Sequence, residues 1–310
     1  MGAIDARALE GDLSGAPAQW RAIDPAKLTA AERTRRECLI DRFGGSPRAP
    51  AKSGDELLDG LLDVYRDYWT DSLLKRGKKD ALQARLHAGL DGLRVRYAKA
   101  PAAGTLDDAV DAIATLLEAR NLHAITGVTL PYYELMAWRT NDESIRDIAL
   151  PDDRVKVKVV LLDGFSSLGW SAWATCDRSF SGGWTTKEAI FAVRAAYDLE
   201  SETYRVSLLA HEGQHFADYL RFPTLEQPEL EYRAKLTEIV LSETSTRDLL
   251  ATFAANAGNS REAPHAWANG QVIANLRAAL GADPLAADLV RVRAAARELL
   301  VASTKRYKAN

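Results

Sequence analysis

The apolar residues of this chain keep two different periods, and that restricts the fold before anything else is known. Leu57, Leu58, Leu61, Leu62, Tyr65, Tyr68, Trp69 and Leu73 recur at spacings of three and four, the stripe of an amphipathic helix. A second stripe runs through Leu82, Leu86, Leu90, Leu93 and Tyr97. Pro101 and Gly104 then interrupt, and Thr105 with Asp107 and Asp108 opens a third helix ending near Leu122. Between residues 124 and 193 the texture turns β-branched and aromatic. Val155, Val157, Val159 and Leu161 alternate with Lys156 and Lys158, and residues 189–193 read as a further strand. Past Glu200 the pattern is helical again, through Leu220, from Pro228 to about Ala254, and in two more helices to Val301. Helices, a small sheet and helices again predict a predominantly helical α+β fold.

Residues 28–43 also have helix-forming composition, and the run Gly44 Gly45 Ser46 Pro47 Arg48 Ala49 Pro50 breaks that helix. The expected organisation is an N-terminal helical segment and linker over 1–52, helical hairpins acting as a packing scaffold over 53–122, and the working region over 123–310. His87 and His123, in the helical half, are expected to be structural.

Composition removes several classes of function. With 47% hydrophobic and 27% charged residues, the 310-residue chain has ample material for a core and reads as a soluble globular protein. The 40 Lys and Arg balance 43 Asp and Glu, for a net charge of -3 without a polybasic run, so there is no electrostatic case for a nucleic-acid partner. The richest apolar stretch, residues 155–162, is interleaved with lysines and falls far short of the roughly 20 residues of a membrane span. Two cysteines, Cys38 and Cys176, are too few for a zinc knuckle or a disulfide framework, and whether they bridge stays open. Met1 Gly2 Ala3 Ile4 Asp5 lacks the apolar core of a signal peptide, but a processed start looks the same, so a cytoplasmic and an extracytoplasmic location both stand. Oligomeric state is not legible.

The informative segment is Leu208 Leu209 Ala210 His211 Glu212 Gly213 Gln214 His215 Phe216 Ala217 Asp218, which holds His-Glu-x-x-His within a helical pattern. Tyr204, Leu208, Phe216, Tyr219 and Leu220 supply apolar neighbours at helical spacing. On a helix, His211 and His215 lie about 40° apart and one turn apart in rise, so both imidazoles reach one ion. Glu212 stands about 100° round from His211, beside the ion without ligating it. Zinc suits two imidazoles and a carboxylate, with the fourth position left for water. The ion lowers the pKa of that water toward about 7, and Glu212 accepts its proton as general base. Pro223 and Pro228 bracket a turn into a second helix, where Glu231, 20 residues after His211, is the predicted third ligand.

Over about 30 residues, this order resembles the gluzincin branch of the zincin metallopeptidases, in which a His-Glu-x-x-His helix is followed by a glutamate helix. The resemblance implies a Zn2+-dependent peptidase acting on a peptide or protein substrate. Glu231 and Ala234 match the first and fourth positions of Glu-x-x-Ala-Asp, and Glu229 fits less well. Lys235 stands where the family has Asp, which leaves Asp218, Glu238 or a backbone carbonyl to orient a zinc histidine. A metzincin needs Gly three residues after His215 and a ligand six after it, where this chain has Asp218 and Arg221. By analogy, residues 186–194 form the strand that pairs with extended substrate. His265, 50 residues after His215, is the leading transition-state donor, with Tyr197, Tyr204 and Tyr232 in competition and Arg233 a partner for a substrate carboxylate. The rival reading is a noncatalytic helical interaction protein with a structural zinc clip. Such sites close four positions with protein ligands and favour Cys, and neither cysteine is near the motif.

Overall fold

Threonine and aspartate caps start helices where the sequence places them. The computed structural model describes residues 7–45, 49–99 and 104–308. After α1 (Ala16–Ala22), Thr29 opens α2 (Ala30–Phe43) through a reciprocal box with Glu32. Asp55 caps α3 (Glu56–Leu73) by accepting the Leu58 N–H, α4 (Lys79–Ala98) follows, and Thr105 with Asp108 boxes the start of α5 (Leu106–Glu118). The break at Pro101 lies outside the described residues, as does part of the 44–50 linker. The predicted α3 stripe is buried along its length, from Leu57 to Leu73. Beyond α5 come β1 (His123–Ile125), β2 (Val128–Thr129), β3 (Tyr132–Tyr133) and β4 (Met136–Trp138).

The chain forms two compact units, and their boundary is not the one expected near residue 122. The first unit continues to Thr140 and takes in Asp163–Ser181 as well. The segment 123–140 belongs with the helices because Trp69 Nε1 donates to the Tyr133 carbonyl at 2.8 Å and Leu135 and Ala137 join the same core. Further along, β7 (Ser167–Leu168) completes an antiparallel sheet in the order β1-β4-β7, and α6 (Gly169–Thr175) places Trp170 and Trp173 in that core. A disulfide from Cys38 in α2 to Cys176 beyond α6 fastens the returning segment.

The second unit comprises Asn141–Leu162 and the chain from Gly182 onward. Its mixed sheet has the order β5-β6-β9-β8, built from β5 (Thr140–Leu150), β6 (Asp153–Asp163), β8 (Gly183–Thr185) and β9 (Ala189–Val193). The alternation seen in the sequence is the two-faced pattern of β6. Val155, Val157, Val159 and Leu161 share one core with Ile190 and Ala192 of β9. The strand predicted to receive substrate is β9, and it is interior, parallel to β6 on one side and antiparallel to β8 on the other. The short β8 takes the edge instead, because the chain turns back at residues 186–188 and adds β8 outside β9.

A π-helical segment (Thr203–Ala210) leads into α7 (His211–Arg221), followed by α8 (Gln227–Leu241), α9 (Thr246–Ala255), α10 (Pro264–Leu280) and α11 (Leu289–Lys308). A separate core of Leu236, Ile239, Leu250, Phe253, Val272, Leu276 and Val292 unites the last four. The helix expected from Pro228 to about Ala254 is two helices. At the break, the Glu202 carboxylate accepts the N–H groups of Glu243, Thr244 and Ser245, which draws that turn out of helical bonding. The observed architecture is a predominantly helical α+β fold. No helix among the described residues is long and apolar enough to cross a membrane.

Candidate metal centre

The second unit builds the site from a helix, its approach and a neighbouring helix. The residues before His211 close wider, five-residue turns, and the α-helix proper begins at His211 itself. Tyr204 and Leu208 are buried as apolar neighbours, but on the π-helical segment, and Leu220 faces solvent. Gly183 permits the close approach of this segment to β8. A Cβ there runs into Leu208 Cδ1.

Two buried contacts set the register of α7 against α8. Thr237 Oγ1 donates to Gln214 Oε1 at 2.9 Å, and Arg233 grips Asp218 through Nε at 2.7 Å and a second nitrogen at 2.9 Å. With the helices so fixed, Glu231 comes opposite the motif histidines. The two Nε2 atoms of His211 and His215 lie 3.1 Å apart. Glu231 Oε2 is 3.5 Å from His211 Nε2, and Glu231 Oε1 is 3.5 Å from His215 Nε2. Ligand atoms of all three buried residues fall within 4.8 Å of one another.

This donor set fits a zinc ion. Two imidazole nitrogens and a carboxylate oxygen are its usual partners in a three-ligand site. Among the described residues, buried Glu231 Oε2 and His215 Nδ1 have no hydrogen-bond partner, an arrangement that apolar packing alone does not favour. Burial disfavours a charged His211 ring, but the Glu231 and Glu238 carboxylates outweigh it and push its pKa up to about 10. Burial acts on Glu231 in the raising direction, and the imidazoles of His211, His215 and His265 overcome it and hold the carboxyl well below the usual carboxylate range.

Glu238 supplies what Lys235 does not. Its Oε1 lies 2.7 Å from His211 Nδ1, which directs the Nε2 lone pair toward the cluster when Nδ1 carries the proton. Glu238 follows Glu231 by two turns of α8, on the same face. The Lys235 ammonium sits over the Phe253 ring, 4.7 Å from its centre. Asp218, another alternative, is committed to Arg233. Arg233 itself is a correction to the sequence reading: it is 1% exposed, and its remaining nitrogen donates to the hydroxyls of Ser303 and Thr304 at 3.1 Å each. A guanidinium saturated inside the core does not receive a substrate carboxylate.

Glu212 stays out of the cluster and turns to the sheet edge. Thr185 Oγ1 donates to its Oε2 at 2.6 Å. Thr185 carried no sequence signal, since a threonine in a strand does not announce its cross-element partner. The register of β8 on β9, with Thr186 N–H bonded to Ala189 O and Val193 N–H to Gly182 O, directs the Thr185 N–H and C=O away from β9.

His265 lies in the first turn of α10 with its side chain 71% exposed, and Nδ1 is 2.8 Å from Glu231 Oε2. Among the competing phenols, Tyr232 accepts from Asn275 at 3.0 Å and Tyr204 is buried in the sheet core. Tyr197 packs on Tyr204, and burial together with the Glu212 and Glu238 carboxylates raises its phenol to about 12, so it keeps its proton. In the first unit, His87 Nε2 is 3.4 Å from Asp91 and His123 stacks on Trp138. Comparison of the chain with protein families, curated proteins and solved structures yields no match.

Proposed function

We propose that this chain is a zinc-dependent metallopeptidase of gluzincin type, with His211, His215 and Glu231 as ligands and Glu212 as general base. The observation that carries the reading is the convergence of Glu231 from α8 with the two motif imidazoles, while the Glu212 carboxylate turns away from that group to Thr185 of the adjoining strand. Zinc, when bound, supplies Lewis acidity that polarises a carbonyl and makes water acidic near neutral pH.

The chain's own groups account for the rest. Glu238 holds the tautomer and direction of His211. Glu212 takes a proton from the attacking water and returns it to the departing amine, which a neutral amide requires. Thr185 keeps the Glu212 carboxylate at the strand edge, where its own outward N–H and C=O are placed to pair with an extended peptide. That main-chain pairing is what favours peptides over other acyl compounds as substrate class. The Cys38–Cys176 bridge fits an oxidising, extracytoplasmic setting for the enzyme. The structural-clip rival needs a fourth protein ligand, and His265 approaches Glu231 without joining the three ligand atoms.

Glu212→Gln tests the reading. The zinc-loaded chain cleaves a mixture of denatured peptides, and the variant keeps one zinc per chain and the wild-type melting temperature but loses cleavage. Undiminished cleavage by the variant overturns the base assignment. Lost zinc makes Glu212 a ligand, and a wild-type chain that takes up no zinc ends the proposal.

A further inference from the structure

We infer that His265 is a positioning residue which holds one oxygen of Glu231, so that Glu231 offers a single oxygen to the metal. The inference rests on the zinc-site reading and concerns a group that reaches the cluster from α10. The two carboxylate oxygens of Glu231 are not equivalent. Oε1 faces His215 at 3.5 Å, whereas Oε2 faces His211 at 3.5 Å and His265 Nδ1 at 2.8 Å. Although that 2.8 Å approach is within reach of a hydrogen bond, it lies off the bonding direction, and buried Oε2 has no aligned donor among the described residues. A buried carboxylate oxygen without a donor is costly, and the ring beside it is exposed enough to turn into line.

The placement of His265 explains why it acts through Glu231. Pro264 starts α10 at the position where a missing N–H costs nothing, which puts the imidazole one residue into the helix and beside Glu231 of α8. The ligand atoms that gather within 4.8 Å are those of His211, His215 and Glu231, so the His265 ring is a neighbour of the ligand set. A carboxylate that binds through both oxygens fills an additional position on the ion. Holding Oε2 on an N–H keeps that position open, and hydrogen-bond partners of this kind change metal affinity by roughly tenfold to a hundredfold.

The test uses the full chain with Co2+ as a spectroscopic probe and zinc affinity by chelator competition. His265→Ala removes the donor, and His265→Asn places an amide N–H near the position of Nδ1. The wild-type Co2+ form is expected to show the intense visible absorption of four-coordination. The alanine variant loses intensity toward five-coordination and binds zinc about tenfold more weakly or worse, and the asparagine variant recovers both. An alanine variant with wild-type spectrum and affinity overturns the inference. So does a loss that asparagine does not repair, since the imidazole is then a ligand in its own right. A wild-type chain that binds neither ion overturns the zinc-site reading itself, which separates the two failures.

Discussion

Single carboxylates in this protein are placed by partners far away in sequence, and their chemistry follows from those partners. Glu238 makes the point for the metal centre. Removing it as Glu238→Ala leaves the buried His211 Nδ1 without its acceptor, and zinc affinity is expected to fall by roughly tenfold to a hundredfold in a chelator competition, with Glu238→Gln in between. Glu202 makes it for stability. Burial opposes its charge, but the hydroxyls and N–H groups of Thr244 and Ser245 and the Glu243 N–H prevail and hold its carboxyl down to about 2, from 4.5. A carboxyl depressed in the folded state stabilises it fully above the unfolded value, and the contribution disappears as pH falls through about 2. Glu202→Gln therefore melts below wild type at pH 7, and the gap closes as the pH of the melt is lowered from 5 to 2. Local spacing made His211, Glu212 and His215 legible in the sequence. Glu238 was legible only as one of three candidates, and Thr185 and Glu202 not at all, because what marks them is the tertiary neighbour and not the residue type.

At the scale of elements, alternation identifies a strand but does not name its neighbours. Residues 189–193 were legible as β9, yet its interior position depends on the turn that carries β8 outside it. The π-helical approach to α7 was equally silent. Tyr204, Val206, Leu208 and Ala210 are its buried residues, and nothing in their identity separates a wide turn from an ordinary one. The contact between these two elements is tight. Gly183→Ala drives a methyl into Leu208 Cδ1 and puts it 2.8 Å from the Phe191 carbonyl oxygen. Overpacking of this kind costs about 1–3 kcal/mol, so the variant is expected to lower the urea midpoint. Trimming Leu208→Ala in the same chain is expected to recover part of the loss that the two single changes predict by addition, because the residues share the clash.

The whole molecule was legible in its class, helical with a small sheet, but not in its division. Hydrophobic period reports which face of an element is covered and carries no information about the unit doing the covering, so residues 123–140 and 163–181 could not be assigned to the helical unit from their own pattern. The disulfide that fastens the second of these segments spans 138 residues. Replacing both cysteines with serine removes a large loop constraint from the unfolded chain, for an expected loss of about 2–5 kcal/mol in the first unit's unfolding by calorimetry. Zinc affinity of the second unit is expected to stay at the wild-type value, since all three ligands lie within that unit. The same bridge sets a schedule for biosynthesis. At roughly 5–20 residues per second, Cys38 leaves the ribosome on the order of ten seconds before its partner exists, and throughout that wait the newborn chain carries a solitary thiol that must be kept from pairing with neighbouring nascent chains.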